Sequence, residues 1–391
     1  MFKFKAIYFS TLMVLAFAFV SCSKESNPAE SVQSYPAVTA KFGNKIDLNS
    51  LENYANQPIP SYINKDNTNG NSISDKGATL GRILFYDKNL STNNSIACAS
   101  CHLQANGFSD KKIVSDGVNG TTKRHSMRLV NSRFSNEVKF FWDERAATLE
   151  QQTTKPIQDH AEMGYSGLNG DQALSDMMAK LETIDYYKEL FTFVYGDSKV
   201  TEDRLQKALA QFVRSIQSFD SKFDAGRTAT GNDNQNFANF TAQENQGKTI
   251  FINPPQQGGA GCQGCHAAPE FDIAPNTGNN GIVGVVGKSG EIDISNTKAP
   301  SLRNIFNSTG ELNGPLMHDG SLSTVAEVIN HYNLITVEAG NTNLDPKLLP
   351  GGQPQKLNLT QAQKDALAAF LKTLSGSEVY TASKWSDPFL N

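Results

Sequence analysis

Cysteine is scarce in this chain, with five among 391 residues. That excludes a disulfide-dense scaffold, in which cross-links stand in for a core. Charge of one sign is lacking too. Thirty-five Lys and Arg face 39 Asp and Glu, for a formal charge of −4 without any basic block. The electrostatic footprint of a nucleic-acid binder is therefore missing. No stretch alternates apolar and polar residues in the manner of a β-rich domain, so the class is mostly α. The one long apolar run, residues 6–20, is shorter than a membrane span needs and lies at the terminus. Tryptophan occurs only twice, at Trp142 and Trp385.

What is present begins with that run. Lys3 and Lys5 precede it and Ser21 and Cys22 follow, which is the order of a secretory signal. "FVSC" also resembles a bacterial lipoprotein box, in which Cys22 is lipidated and becomes the mature N-terminus; a plain signal with an incidental cysteine is the alternative. Residues 1–22 are thus read as the leader. Residues 23–75, rich in Ser, Asn, Pro and Lys without a sustained apolar period, are read as a flexible tether. Loss of Lys3 and Lys5 with the leader makes the charge −6. The expected location is outside the cytoplasm, on a lipid anchor facing the periplasm or on the outer membrane of a Gram-negative bacterium.

The other four cysteines form "CASCH" (Cys98, Cys101, His102) and "CQGCH" (Cys262, Cys265, His266). A four-cysteine zinc site fits the count. Two redox dithiols fit it too, but have no use for the histidine after each pair. Covalent haem needs two thiols to add across its vinyl groups and an adjacent imidazole for the iron, and C-x-x-C-H is the minimal spacing that supplies all three. Two copies consuming every mature cysteine of an exported chain point to two haem c groups, with His102 and His266 as proximal ligands.

Each motif sits in a similar frame. Gly81 to Phe85 in "LGRILFYDKNL" (80–90) matches Gly247 to Phe251 in "QGKTIFINPPQ" (246–256). Downstream, "KALAQFVRSI" (207–216) matches "DALAAFLKTL" (365–374), with Phe212 opposite Phe370. Capping-box patterns start helices at Thr241, Thr324 and Thr360, and Gly376 is placed to close the last. The prediction is two tandem cytochrome c-like domains, residues 76–240 and 241–391, each holding one haem between terminal helices.

With both motifs in place, residues 77–376 resemble the bacterial di-haem cytochrome c peroxidases and their MauG-type relatives. The blocks that carry the resemblance are "FFWDERAATLEQQ" (140–152), "PIQDHAEMG" (156–164), "APSLRNI" (299–305) and "MHDGSLSTVAEVINHY" (317–332). It implies that the first haem meets peroxide, with Gln152, Pro156 and Glu162 lining its distal pocket. Glu162 would shuttle a proton between the peroxide oxygens. Trp142 would relay electrons or holes between the haems. Many relatives block the first iron with a histidine in the loop that here reads "SDGVNGTTKRHSM" (115–127). None stands near Gly117, which implies a first haem open to peroxide at rest. His125 falls where the family carries a calcium-binding asparagine. Imidazole is a poor ligand for hard Ca²⁺, so an inter-domain calcium is implied only weakly. Glu144 stands where the family has glycine.

Met317, His331 and Tyr332 compete to cap the second iron. Val325, Val328, Ile329 and Tyr332 share one helical stripe, while His331 falls on the stripe of Glu327 and Asn330. Tyr332 is preferred and His331 is the fallback; the resemblance agrees, since MauG-type proteins carry tyrosine there. A phenolate favours ferric and higher iron states. His160 is expected at the surface, and His318 in a structural or propionate-binding role. The implied function is reduction of hydrogen peroxide by electrons from a small redox protein, a cytochrome c or cupredoxin. Two alternatives stand beside it: a MauG-like oxidase working through a high-valent iron state on a protein or small molecule, and a non-catalytic di-haem electron carrier. A homodimer is compatible with the family; nucleic acid is not an expected partner.

Overall fold

In the computed structural model, residues 1–3, 33–136, 139–273 and 278–389 are described. The leader's apolar run and Cys22 lie outside them. Helices dominate, and the strands among the described residues form two small antiparallel pairs: β1 (His266–Ala267) with β2 (Asp272–Ile273), and β3 (Gly284–Val285) with β4 (Lys288–Ile292). No helix among the described residues is long and apolar enough to cross a membrane.

The segment read as a tether is the first correction, for its part from Tyr35 onward. Helix α1 (Pro36–Phe42) is anchored by the Glu189 carboxylate, which accepts from the backbone N–H of Ala37 (3.0 Å) and Val38 (2.9 Å). Val38, Phe42, Ile46, Leu48 and Tyr54 are buried in the core. Further on, Lys65 pairs with Asp272 at 2.6 Å. These apolar side chains enter the core from irregular backbone, so they carry no period for a sequence pattern to register.

Two helix pairs organise the rest. Helix α2 (Asp75–Tyr86) leads into the short α3 (Cys98–Cys101), and α4 (Leu149–Thr154), α5 (Leu174–Thr183), α6 (Asp185–Tyr195) and α7 (Glu202–Ser215) follow. Helix α8 (Lys222–Thr230) opens the second half, with α9 (Ala242–Ile252), α10 (Val325–Asn333), α11 (Gln361–Lys372) and α12 (Glu378–Thr381). Helix α2 packs on α7, and α9 on α11. Both crossings use a glycine as their point of closest approach. A Cβ on Gly81 would lie 1.9 Å from the Ala208 carbonyl oxygen, and one on Gly247 would lie 1.9 Å from that of Ala366. Beside each crossing lies a phenylalanine cluster: Phe85 with Phe212 at 5.1 Å and Phe108 at 6.1 Å, and Phe251 with Phe370 at 5.2 Å and Phe271 at 5.7 Å. The expected repeat is therefore present, and Phe108 and Phe271 extend it beyond what the sequence comparison found. The capping boxes at Thr241, Thr324 and Thr360 all form.

Two boundaries differ from expectation. Phe223, Phe237 and Phe240 belong to the second core, so the division of cores precedes α8 instead of falling at residue 240. The C-terminal tail returns to the first core, where Val379 and Trp385 are fully buried and Tyr86 donates to the Trp385 carbonyl at 2.7 Å. Gly376 does not close α11, which ends at Lys372. It is small because Asp220 crosses it, a Cβ there falling 1.7 Å from Asp220 Oδ1.

Candidate active site

Each C-x-x-C-H motif opens into its own cavity. Cys98, Cys101 and His102 line a cavity of about 890 Å³ together with Gln152, Pro156 and Glu162. Cys262, Cys265 and His266 line a tighter one of about 230 Å³, with Val325, Val328, Ile329, Met317 and Tyr332. The four cysteines are thus divided between two places, which removes the four-cysteine zinc arrangement. They are free thiols. Burial pushes Cys98 and Cys262 up to about 12 and Cys101 to about 11, against the lowered values that redox dithiols use.

The two motif histidines differ in their hydrogen bonds, His102 Nδ1 having a carbonyl partner and His266 Nδ1 none. The Phe108 carbonyl lies 3.2 Å from His102 Nδ1 and requires a donor there, which leaves Nε2 with its lone pair. Burial lowers the His102 pKa, so the ring stays neutral. Burial likewise pushes His266 down to about 4, with the carbonyls of Pro300 and Phe271 pulling the other way. Phe108 and Phe271 both take left-handed backbone (each φ 57°), the same sharp bend after each motif.

Glu162 lines the first cavity near Gln152 and Pro156. Burial is the main cause that raises its pKa to about 7; the Asp159 carboxylate adds to this, and Arg145 and Lys123 oppose it. A carboxyl at that value both takes and returns a proton near neutral pH. The loop 115–122 is laid against it backbone to backbone. Val118 N–H donates to the Glu162 carbonyl (3.0 Å) and Asn119 N–H to that of Ala161 (3.2 Å). Gly117 permits this approach, since a Cβ would lie 2.0 Å from the Ala161 oxygen. No side chain fits at residue 117 without moving Glu162.

A second internal match bears on both cavities. Phe141 and Glu144 take left-handed backbone (φ 71° and 59°), as do Met317 and Gly320 (φ 69° and 65°). Short bridges close each turn, Phe140 with Ala146 and Leu316 with Leu322. A threonine N-cap then starts a helix in each half, Thr148 for α4 and Thr324 for α10. Eight residues on from these threonines stand Pro156 and Tyr332. Where the second cavity receives a phenol, the first receives a ring with no donor atom. This match was readable from "FWDE" and "MHDG" but too short to stand out alone. Glu144 holds its left-handed conformation while buried, its carboxylate accepting from Asn296 Nδ2 at 3.0 Å.

In the second cavity the α10 stripe faces inward as expected. Asn280 Nδ2 lies 3.3 Å from both the Tyr332 hydroxyl and Met317 Sδ. Burial raises the Tyr332 pKa above that of a free phenol. His331, the fallback ligand, is corrected: its Nε2 bonds the Asn280 carbonyl at 2.8 Å, and it does not line the cavity. The reason is the 100° step between successive helical residues.

The wall between the cavities includes Trp142 and His125, which line both. Trp142 Nε1 donates to the His125 carbonyl (2.7 Å), and its ring lies 6.3 Å from that of His318. Both His125 ring nitrogens are engaged, with Lys112 O at 3.0 Å and Ser109 Oγ at 3.3 Å. Burial lowers its pKa to about 4. It is a buried structural residue. His318 is buried as well, lines the first cavity and has no partner for Nδ1, whereas His160 is exposed beside Asp171.

These residues suit two covalent haems: paired protonated thiols, a neutral imidazole beside each pair, and cavities within the range that holds cofactors or lined by aliphatic side chains. The comparisons agree. The di-haem cytochrome c peroxidase family matches residues 75–233. The cytochrome-c peroxidase IdrP1 of Denitromonas iodatirespirans is 30% identical over 346 residues, spanning 79% of this chain and 84% of that protein. The methylamine utilization protein MauG of Methylophilus methylotrophus is 28% identical over 313 residues, spanning 78% and 84%. A solved MauG-like protein associated with microbial copper homeostasis is 27% identical, with a TM-score of 0.68 over 85% of this chain and 99% of that one. The mostly helical fold and these relatives define an oxidoreductase of the peroxidase class. The chain belongs to the di-haem cytochrome c peroxidase family, whose members use two c-type haems.

Proposed function

We propose that this protein reduces hydrogen peroxide to water at the first cavity, H₂O₂ + 2e⁻ + 2H⁺ → 2H₂O, with electrons entering through the second. The carrying observation is the asymmetry of the repeat, with Pro156 and an acid of pKa about 7 in one cavity and a buried phenol in the other. Cys98, Cys101 and His102 would hold a haem, which would supply the redox chemistry when bound. Glu162 takes the peroxide proton and returns it to the departing oxygen. Gln152, on α4 in the same cavity, donates an amide hydrogen bond that orients the peroxide. Pro156 offers no atom to bind iron, which keeps that face for substrate.

Cys262 and Cys265 would hold the second haem, and His266 and Tyr332 are the residues of that cavity that would offer its iron a nitrogen and an oxygen donor. Trp142, in the shared wall, couples the two. The halves correspond to two cytochrome c-like domains, with the core division preceding α8. Cys22 anchors the chain by lipid, facing the periplasm, and the electron donor is a small redox protein of the cytochrome c or cupredoxin kind. Tyr332 also favours a second reading, an oxidase in the manner of the MauG-type relatives, because a phenolate ligand stabilises oxidised iron. An electron carrier is disfavoured by the donor-free Pro156.

Optical and EPR spectra of the purified holoprotein, taken before and after one equivalent of peroxide, test this, followed by turnover with reduced cytochrome c. Two low-spin haems without a peroxide response would sink both enzymatic readings. A rapid response with little cytochrome oxidation would favour the oxidase. Tyr332→Phe is expected to change the spectrum of the second haem and leave the first unaltered; an unchanged second haem would transfer the ligand role to Met317.

A further inference from the structure

Arg128 is a cation without a counter-charge in the wall between the cavities. It lines both of them. Its Nε is sealed from solvent with no partner, and the guanidinium makes one hydrogen bond, from Nη2 to the Ser301 carbonyl at 3.2 Å. Among the described residues no carboxylate pairs with it. Arg214 pairs with Glu150 and Arg303 with Asp224, whereas the buried Arg82 bonds the Ser386 carbonyl at 2.7 Å and the Ser386 hydroxyl at 3.2 Å. A cation held in a cavity wall without a counter-charge is unfavourable, and the fork of a guanidinium matches two carboxylate oxygens better than any other group. Burial pulls Arg128 down to about 10, still charged at neutral pH. The other cation lining both cavities, Lys298, is engaged with the Lys139 carbonyl at 2.9 Å.

We infer that Arg128 binds haem propionates from both cavities and provides a fixed positive charge in the wall that the cavities share. The inference rests on the haem reading of the two motifs, but not on which haem meets peroxide. Haem carries two ionised propionates, and carboxylates are the anions that haem bound through the two motifs would bring to this wall. A positive charge near an iron favours its reduced state, so one arginine in the common wall holds both potentials up. A calcium ion beside it would meet like charge.

The test uses the full holoprotein, with the midpoint potentials of both haems measured by spectroelectrochemistry. Arg128→Gln is expected to retain two covalent haems by mass and to shift both reduction equilibria at least tenfold toward the oxidised state, about 59 mV each. Arg128→Lys keeps the charge but not the fork. It should restore most of the potential while altering the propionate bending bands in resonance Raman spectra. A shift in one haem only, or in neither, overturns the shared role. If Arg128→Gln does not fold, unchanged propionate bands in Arg128→Lys overturn it instead. Calcium chelation of the wild type is expected to leave both potentials unchanged; a loss equal to that of Arg128→Gln would assign the charge to a metal. Absence of haem by mass would sink the haem reading itself, which is a separate result.

Discussion

Glu162→Gln is expected to slow the reaction with hydrogen peroxide by about 10²–10⁴-fold, the usual contribution of a positioned acid–base group. Both haem spectra should remain as in the wild type, because Glu162 holds no attachment or axial role. The amide keeps the size and much of the hydrogen bonding of the carboxyl, but it can neither accept the first peroxide proton nor return it. The pH dependence gives an independent reading. Burial and Asp159 raise Glu162 to about 7, and the reactive form is the carboxylate. The wild-type rate should therefore rise with pH through about 7 and level off above it, while the variant stays flat across that window. Asp159→Asn removes the like charge and should move the midpoint to lower pH. Its Oδ1 atom would still accept from the N–H groups of Ala161 and Glu162, as it does now at 2.9 and 3.2 Å. Stopped-flow rates from pH 5 to 9 check all three, and a Glu162→Gln variant with wild-type rates would remove the assigned role.

Gly247→Ala is the second large effect, and it acts through the fold. The new Cβ would lie 1.9 Å from the Ala366 oxygen and 2.8 Å from Phe370 Cβ, so α9 and α11 must separate. Backbone on one side and a core phenylalanine on the other leave no flexible group to yield. Overpacking of this kind costs about 1–3 kcal/mol, and more where the neighbours are rigid. Gly81→Ala should do the same in the first half, against Ala208 and Phe212. Melting followed separately at each haem would show which half loosens first. Gly264→Ala is the control. Its nearest neighbour would be Lys347 Cδ at 3.8 Å, and the corresponding residue in the first motif is Ser100. A change within about 0.5 kcal/mol is expected there. Equal melting of Gly247→Ala and wild type would mean that the crossing is not rigid.

Much of this was legible from local chemistry. Thioether attachment needs two thiols and an imidazole at fixed short spacing, so Cys98, Cys101, His102 and their second copies declare themselves along the chain. Helix periodicity likewise put Tyr332 on the stripe with Val325 and Ile329 and turned His331 aside, which the fold bears out. The matched frames from Gly81 to Phe85 and from Gly247 to Phe251 announced the repeat, and the fold places both glycines at helix crossings. The order of the blocks around residues 140–164 and 299–332 carried the resemblance to a family that the comparisons then established.

Other properties depend on groups distant in sequence and existed only once the chain had folded. Residues 35–75 look like a linker because their apolar side chains are aperiodic, yet Tyr54 reaches Lys384 O at 2.6 Å and Lys65 reaches Asp272. The elevated pKa of Glu162 is a property of its burial, for which its flanking residues give no sign. So is the neutrality of His125, whose two ring nitrogens are claimed by Ser109 and Lys112. The membership of the shared wall is the clearest case. Arg128 and Trp142 lie 14 residues apart in an unremarkable stretch, and nothing local assigns them to both cavities. Sequence by itself pointed to two haem sites and to His102 and His266 as their ligands, because that chemistry is written within five consecutive residues. Tertiary structure decided which cavity holds the Tyr332 phenol, which holds Glu162 with its raised pKa and which cations line both, because desolvation and Coulomb interactions act through space.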